Sequence, residues 1–199
     1  MPKVSPEHLR DRRDAIVQAA RTVFAENGFD GTSIGEIARV AGTSDGLIYR
    51  YFNGKRELLS ATLESFYAEI QAEIAAAIAA HSGYRAKLAS LIEQHIRVFA
   101  EDPGICRLFI SEVRNMEAYV GSTAQALNRS YTALLTPILE VGVAEGAIAA
   151  DIDRRLVRDM LFGGIEHIAW RHISTGTVID IPKVASIVTA TFLGGLSIL

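Results

Sequence analysis

Gly28-Phe29-Asp30-Gly31-Thr32-Ser33-Ile34-Gly35-Glu36-Ile37-Ala38, followed after two residues by Ala41-Gly42-Thr43-Ser44-Asp45-Gly46-Leu47-Ile48-Tyr49-Arg50-Tyr51-Phe52-Asn53-Gly54-Lys55-Arg56-Glu57-Leu58, decides how this chain reads. Before it, about His8–Asn27 predicts a helix with Ile16, Ala20, Val23 and Phe24 on one face. Asn27-Gly28 stops that helix, because Gly28 can take the left-handed conformation past a helix end. Ser33 and Glu36 have capping-box spacing and open a second, short helix. Gly42 ends it at Ala41. Ser44 then caps a third short helix through about Tyr51. Asn53-Gly54 precedes a long fourth helix, about Lys55–Ala80, with Leu59, Leu63, Phe66, Ile70 and Ile74 in line. Helices as short as the second and third are marginal alone. Packed on each other and on the first, they form a three-helix unit that can set its last short helix in a major groove.

The residues on those two helices suit that task. Thr32 and Ser33 start one, Thr43 and Ser44 the other, and each offers a hydroxyl or backbone N–H to phosphate. Gly46 keeps the surface low. Tyr49 can reach a phosphate, Arg50 a guanine edge or a phosphate. Lys55 adds its charge to the N-terminal dipole of the fourth helix. Asp45 reads two ways: as a first-turn residue complementing the helix dipole, or as a groove-facing acceptor for a cytosine amino group that also repels phosphate. The quoted stretch resembles the DNA-binding signature of the TetR family. That resemblance implies phosphate contacts from Thr32, Ser44, Tyr49 and Lys55, and groove contacts from Thr43, Gly46 and Arg50. It further implies a homodimeric repressor, released from a palindromic double-stranded operator by a small hydrophobic effector.

The rest of the chain also reads as helix, so the fold class is all-α with about nine helices. Apolar residues recur at three- and four-residue spacing, with no β-branched alternation. Tyr84–Glu101 is one helix, and Asp102-Pro103 opens another to about Asn115. Glu117–Glu145 reads as one long helix kinked at Pro137 and closed by Gly146. Arg154–Ser174 and Pro182–Ile198 follow. The division expected is a DNA-binding head over residues 1–55 and an effector-binding, dimerising body over 56–199.

In the body, His95, Glu112, His167 and Arg171 fall where periodicity points inward. His95 is either a ligand contact or a satisfied core residue. Glu112 either lines a pocket or pairs with Arg107 or Arg114 at the surface. With Phe66, Ile70, Phe99, Phe109, Tyr131, His167 and Trp170 they make a candidate pocket among helices four to eight, apolar with few polar anchors. Leu108–Asn115 and Leu161–Glu166 resemble segments of TetR-type regulators of fatty-acid and acyl-CoA metabolism. An acyl-CoA or lipid-like effector is therefore one expectation, an aromatic one the other. Gly163, Gly164, Gly194 and Gly195, with the uncharged run Val184–Leu199, mark the last two helices as a homodimer interface.

Composition narrows the alternatives. Apolar residues make up 49% and mean hydropathy is +0.21, pointing to an internal pocket and a buried interface. The Val184–Leu199 run falls short of the ~20 apolar residues a membrane span needs. Met1–Arg21 lacks signal-peptide architecture. Cys106 is the sole cysteine, which leaves no intrachain disulfide and no cysteine-based zinc site. A cytoplasmic protein without membrane, cofactor or metal is expected. Net charge is −3, yet residues 1–60 carry nine basic against eight acidic groups and the remainder eleven against fifteen. No nucleophile triad, glycine-rich phosphate loop or HExxH is present, which argues against an enzyme. A helical adaptor binding another protein is the remaining competitor.

Overall fold

A computed structural model describes residues 6–196. Among them lie ten α-helices, one 3-10 turn and no strand: α1 (Pro6–Asn27), α2 (Ile34–Val40), α3 (Asp45–Ile48), α4 (Lys55–Ala79), α5 (Tyr84–Glu101), α6 (Pro103–Ser111), the 3-10 turn Val113–Asn115, α7 (Thr123–Thr132), α8 (Leu135–Ala144), α9 (Arg154–Thr175) and α10 (Ile181–Leu196). The all-helical reading holds. The expected end of the last helix at Ile198 lies outside the described residues.

Three spans differ from expectation. α3 is a single turn; beyond Ile48 the backbone continues as tight turns, with Arg50 N donating to Leu47 O and Tyr51 N to Ile48 O. α6 ends at Ser111; Glu112 N still donates to Leu108 O, and the next bond, Asn115 N to Glu112 O, tightens the chain into the 3-10 turn. The kinked helix expected over Glu117–Glu145 is two helices with an irregular approach. Pro137 is the third residue of α8, where its ring displaces the N–H that would bond to Ala133 O. Leu134 N and Thr136 N instead reach back three residues, to Tyr131 O and Ala133 O, and the helix restarts.

The chain forms two compact units. The first comprises the residues through Tyr67 together with Gly104–Leu127. Its core is Ile16, Ala20, Val23 and Phe24 of α1 against Ile37 and Ala38 of α2, Ile48 of α3, and Phe52 and Leu58. The second comprises Ala68–Pro103 and Asn128–Leu199. There α5 is the central rod, contacted by α8, α9 and α10. Its buried face, Leu88, Leu91, Ile92, His95, Ile96 and Phe99, repeats every three to four residues. Each such aliphatic side chain contributes roughly 1.5–3 kcal/mol on burial. No helix among the described residues is long and apolar enough to cross a membrane.

Candidate DNA interface and effector site

Caps set the first unit's short helices. Ser33 Oγ accepts from Glu36 N at 3.2 Å while Glu36 Oε2 accepts from Ser33 N at 2.9 Å, closing the capping box. These bonds to Ser33 hold the Glu36 carboxyl below its ordinary range. Ser44 Oγ accepts from Leu47 N at 3.3 Å and starts α3. With Ile48 and Phe52 buried, the remaining residues of the turn face outward. Ser33, Ser44, Asp45, Gly46, Tyr49 and Arg50 are exposed, and Thr43 is half-buried. Tyr49 keeps 57% of its surface exposed, unusual for an aromatic on so short an element.

Two residues expected at phosphates have other work here. Thr32 is only 3% exposed, and its hydroxyl donates to Gly28 O at 2.6 Å. The α1–α2 loop has few backbone partners of its own, and this hydroxyl satisfies one of its carbonyls. Lys55 is engaged in the same way. Its Nζ donates to Phe29 O at 2.6 Å and Thr32 O at 2.8 Å, with Asp30 O at 3.4 Å. The same ammonium lies 4.5 Å from the centre of the Phe29 ring. An ammonium has three donors, and the loop engages all three.

Glu112 is engaged by this loop. Its Oε2 accepts from Phe29 N at 2.7 Å, across 83 residues of sequence. Gly28, at φ +72°, makes room for it, since a Cβ there would collide with Glu112 Oε1. One turn back on α6, Arg107 Nη2 donates to Ala25 O at 2.9 Å, satisfying a carbonyl in the last turn of α1. Gly104 lies where a Cβ would meet Ala25 Cβ at 2.8 Å. Gly104, Arg107 and Glu112 thus all address the end of α1. The sequence offers Arg107 only as a partner for Glu112 and gives no signal for Gly104.

The other pocket candidates divide between the units. Phe66 and Phe109 belong to the first, where both pack edge-on to Tyr67, at 5.7 and 5.9 Å. Ile70 lies in the second, on a cleft with Glu69, Glu73, Ile74, Arg97 and Glu101. His95, Phe99 and Tyr131 do come together in the second unit, with Phe162 as a fourth member the sequence did not single out. The His95 ring centre lies 4.7 Å from Phe162, 5.1 Å from Phe99 and 5.5 Å from Tyr131. Its Nδ1 is 2.6 Å from the Tyr131 hydroxyl. Nε2 is buried with no partner in hydrogen-bond geometry. Burial, opposed in lesser part by the Phe162 main chain, pushes the imidazole down to about 3, so it is neutral.

His167 and Arg171 were expected to point inward, and both are exposed; Trp170 is half-buried. The buried stripe of α9 is Val157, Leu161, Phe162, Ile165 and Ala169. Two residues after Ile165, at ~100° per residue, His167 is carried to the opposite side.

Capped short helices joined by a tight turn, with hydroxyls and a guanidinium on their open side, define a helix-turn-helix protein. Residues 16–62 match the family described as bacterial regulatory proteins, tetR family, and residues 62–195 match the C-terminal region of YsiA-like proteins. The chain belongs to the TetR family. The chain is 26% identical to the fatty acid metabolism regulator protein of Bacillus subtilis over 91% of this chain and 93% of the relative. It is 31% identical to the transcriptional regulator BetI of Agrobacterium fabrum, over 81% of this chain and 82% of the relative. The crystal structure of Bacillus subtilis FadR in complex with stearoyl-CoA superposes with a TM-score of 0.83 at 26% identity, covering 92% of this chain and 98% of that one. The chain is therefore a ligand-responsive, DNA-binding transcriptional regulator and not an enzyme.

Proposed function

We propose that this protein is a cytoplasmic, homodimeric repressor, released from a palindromic operator by a long-chain acyl-CoA. The head over residues 1–55 reads DNA through Ser33, Thr43, Ser44, Asp45, Gly46, Tyr49 and Arg50. The body over 56–199 takes the effector. The observation that carries the effector reading is the neutral His95–Tyr131 pair inside an aromatic cage, with Nε2 still to be satisfied. An apolar acyl chain with an uncharged thioester oxygen suits a neutral buried anchor, whereas a buried carboxylate would need a cation. The stearoyl-CoA bound by the Bacillus subtilis relative supports the same class. Dimerisation is supported by α9 and α10, where Leu156, Met160 and Ile187 are 56–59% exposed and Gly163, Gly164, Gly194 and Gly195 have open space around them. α4 is one unbroken helix with residues in both units, and effector binding acts on the head through it. The test is release of a labelled operator duplex by stearoyl-CoA, stearate and free CoA. Release by stearoyl-CoA alone is expected; release by none, or equally by free CoA, would refute the effector class.

A further inference from the structure

On the open side of the helix-turn-helix, the only acidic group of α3 is Asp45. It is exposed, and its carboxylate has no hydrogen-bond or ion-pair partner among the described residues. Ser44, not Asp45, caps the helix, through its bond to Leu47 N. The carboxylate lies beside Gly35 of α2, where a Cβ would stand in ordinary van der Waals contact with Asp45 Oδ2, at 3.5 Å. Arg39 of α2 and Tyr49 and Arg50 just past α3 are exposed as well. A bare carboxylate amid groups suited to phosphate weakens general DNA affinity by repulsion. It gains only where a base presents a donor.

Within the major groove, the donors are the amino groups of cytosine and adenine. Adenine sets its N7 acceptor beside that amino group, which repels a carboxylate; cytosine has no acceptor on the same edge. We infer that Asp45 is a specificity-determining residue that selects cytosine at one position of each operator half-site. The inference rests on the DNA-reading role proposed for α3. N-terminal residues of a recognition helix are the ones that reach base edges. Asp45, the first residue of α3, holds that place.

The test is selection from a randomised duplex library by the full chain, for the natural sequence and for Asp45→Ala and Asp45→Asn, with thermal melting as a folding control. The natural chain should enrich a palindrome with cytosine at one symmetric position. Asp45→Ala should lose roughly tenfold discrimination there, the scale of one mismatched pair, and keep its preferences elsewhere. Asp45→Asn should shift that position toward adenine, which an amide can meet with both a donor and an acceptor. If Asp45→Ala binds every duplex more tightly by one common factor with an unchanged profile, Asp45 only repels phosphate and the inference fails. If the natural chain selects no palindrome at all, the DNA-reading role assigned to α3 fails with it.

Discussion

Lys55 and Phe29 are joined at two points: the ammonium donates to the Phe29 carbonyl at 2.6 Å and lies 4.5 Å from the centre of its ring. Phe29 is held from its other side by Glu112, whose carboxylate takes the Phe29 N–H at 2.7 Å. Phe29, two residues past α1, is therefore gripped between a cation from α4 and an anion just past the end of α6. A lysine at the first position of a helix is electrostatically misplaced against the dipole. Three carbonyls and an aromatic face offset that cost, and they fix the loop that leads into α2.

Lys55→Ala should consequently act on the head's stability. Losing charge-assisted bonds of this kind costs about 2 kcal/mol, and amide exchange at residues 29–32 should accelerate. The salt dependence of DNA binding should keep its slope, since an ammonium engaged by carbonyls neutralises no phosphate. Tyr49→Phe should do the reverse: unchanged stability, with equal weakening on operator and random duplex. A slope shallower by about one unit in Lys55→Ala would return Lys55 to the phosphate backbone.

Gly28 and Glu112 should be thermodynamically coupled. Glu112→Ala strands a part-buried N–H and should cost about 1–2 kcal/mol. Gly28→Ala adds left-handed strain, ~1–2 kcal/mol, to a collision with the carboxylate. In the double variant the collision is gone, while the strain and the stranded N–H remain. Urea denaturation should show that the two costs sum to at least ~0.5 kcal/mol more than the double variant loses. Strict additivity would show that the contact carries no energy.

What the sequence made legible was local. Ser33, Glu36 and Ser44 cap as their spacing requires, and Gly28, Gly42 and Gly146 take positive φ at the ends of their helices. What it hid was tertiary. By period Glu112 falls with Leu108 and Phe109, yet its partner lies 83 residues away. Lys55 looked like a surface cation because nothing in a linear reading shows three carbonyls converging on it. His167 falls inward by its period in the sequence, while the buried stripe of α9 runs through Phe162 and Ile165.

His95 should leave a signature in acid. Its folded value is lowered from 6.5 to about 3. Below pH ~6.5 the unfolded chain takes up a proton that the folded chain refuses. Stability therefore falls as pH drops from that value toward the folded one, by up to ~1.4 kcal/mol per pH unit from this group. His95→Leu removes the difference. Denaturation at several pH values between 7 and 4 should show the natural chain losing stability faster than the variant. A gap that stays constant with pH would mean the imidazole is protonated in place.

Ile187→Arg combined with Met160→Arg should give a monomer in sedimentation, with helical content retained, because both side chains are already open to solvent in the single chain. Operator affinity should fall sharply, since a monomer engages one half-site. An intact dimer would exclude the α9–α10 face.

The most direct measurement is the affinity of stearoyl-CoA for the protein with and without saturating operator. Two recognition helices must sit about 34–36 Å apart to engage both half-sites, so an effector that releases DNA must prefer a state that breaks this match. Linkage then requires operator to weaken stearoyl-CoA by the same factor by which stearoyl-CoA weakens operator. A full switch needs roughly 10⁴-fold, or ~5.5 kcal/mol. Matching factors well above tenfold are expected. Equal stearoyl-CoA affinities in the two titrations would contradict this linkage.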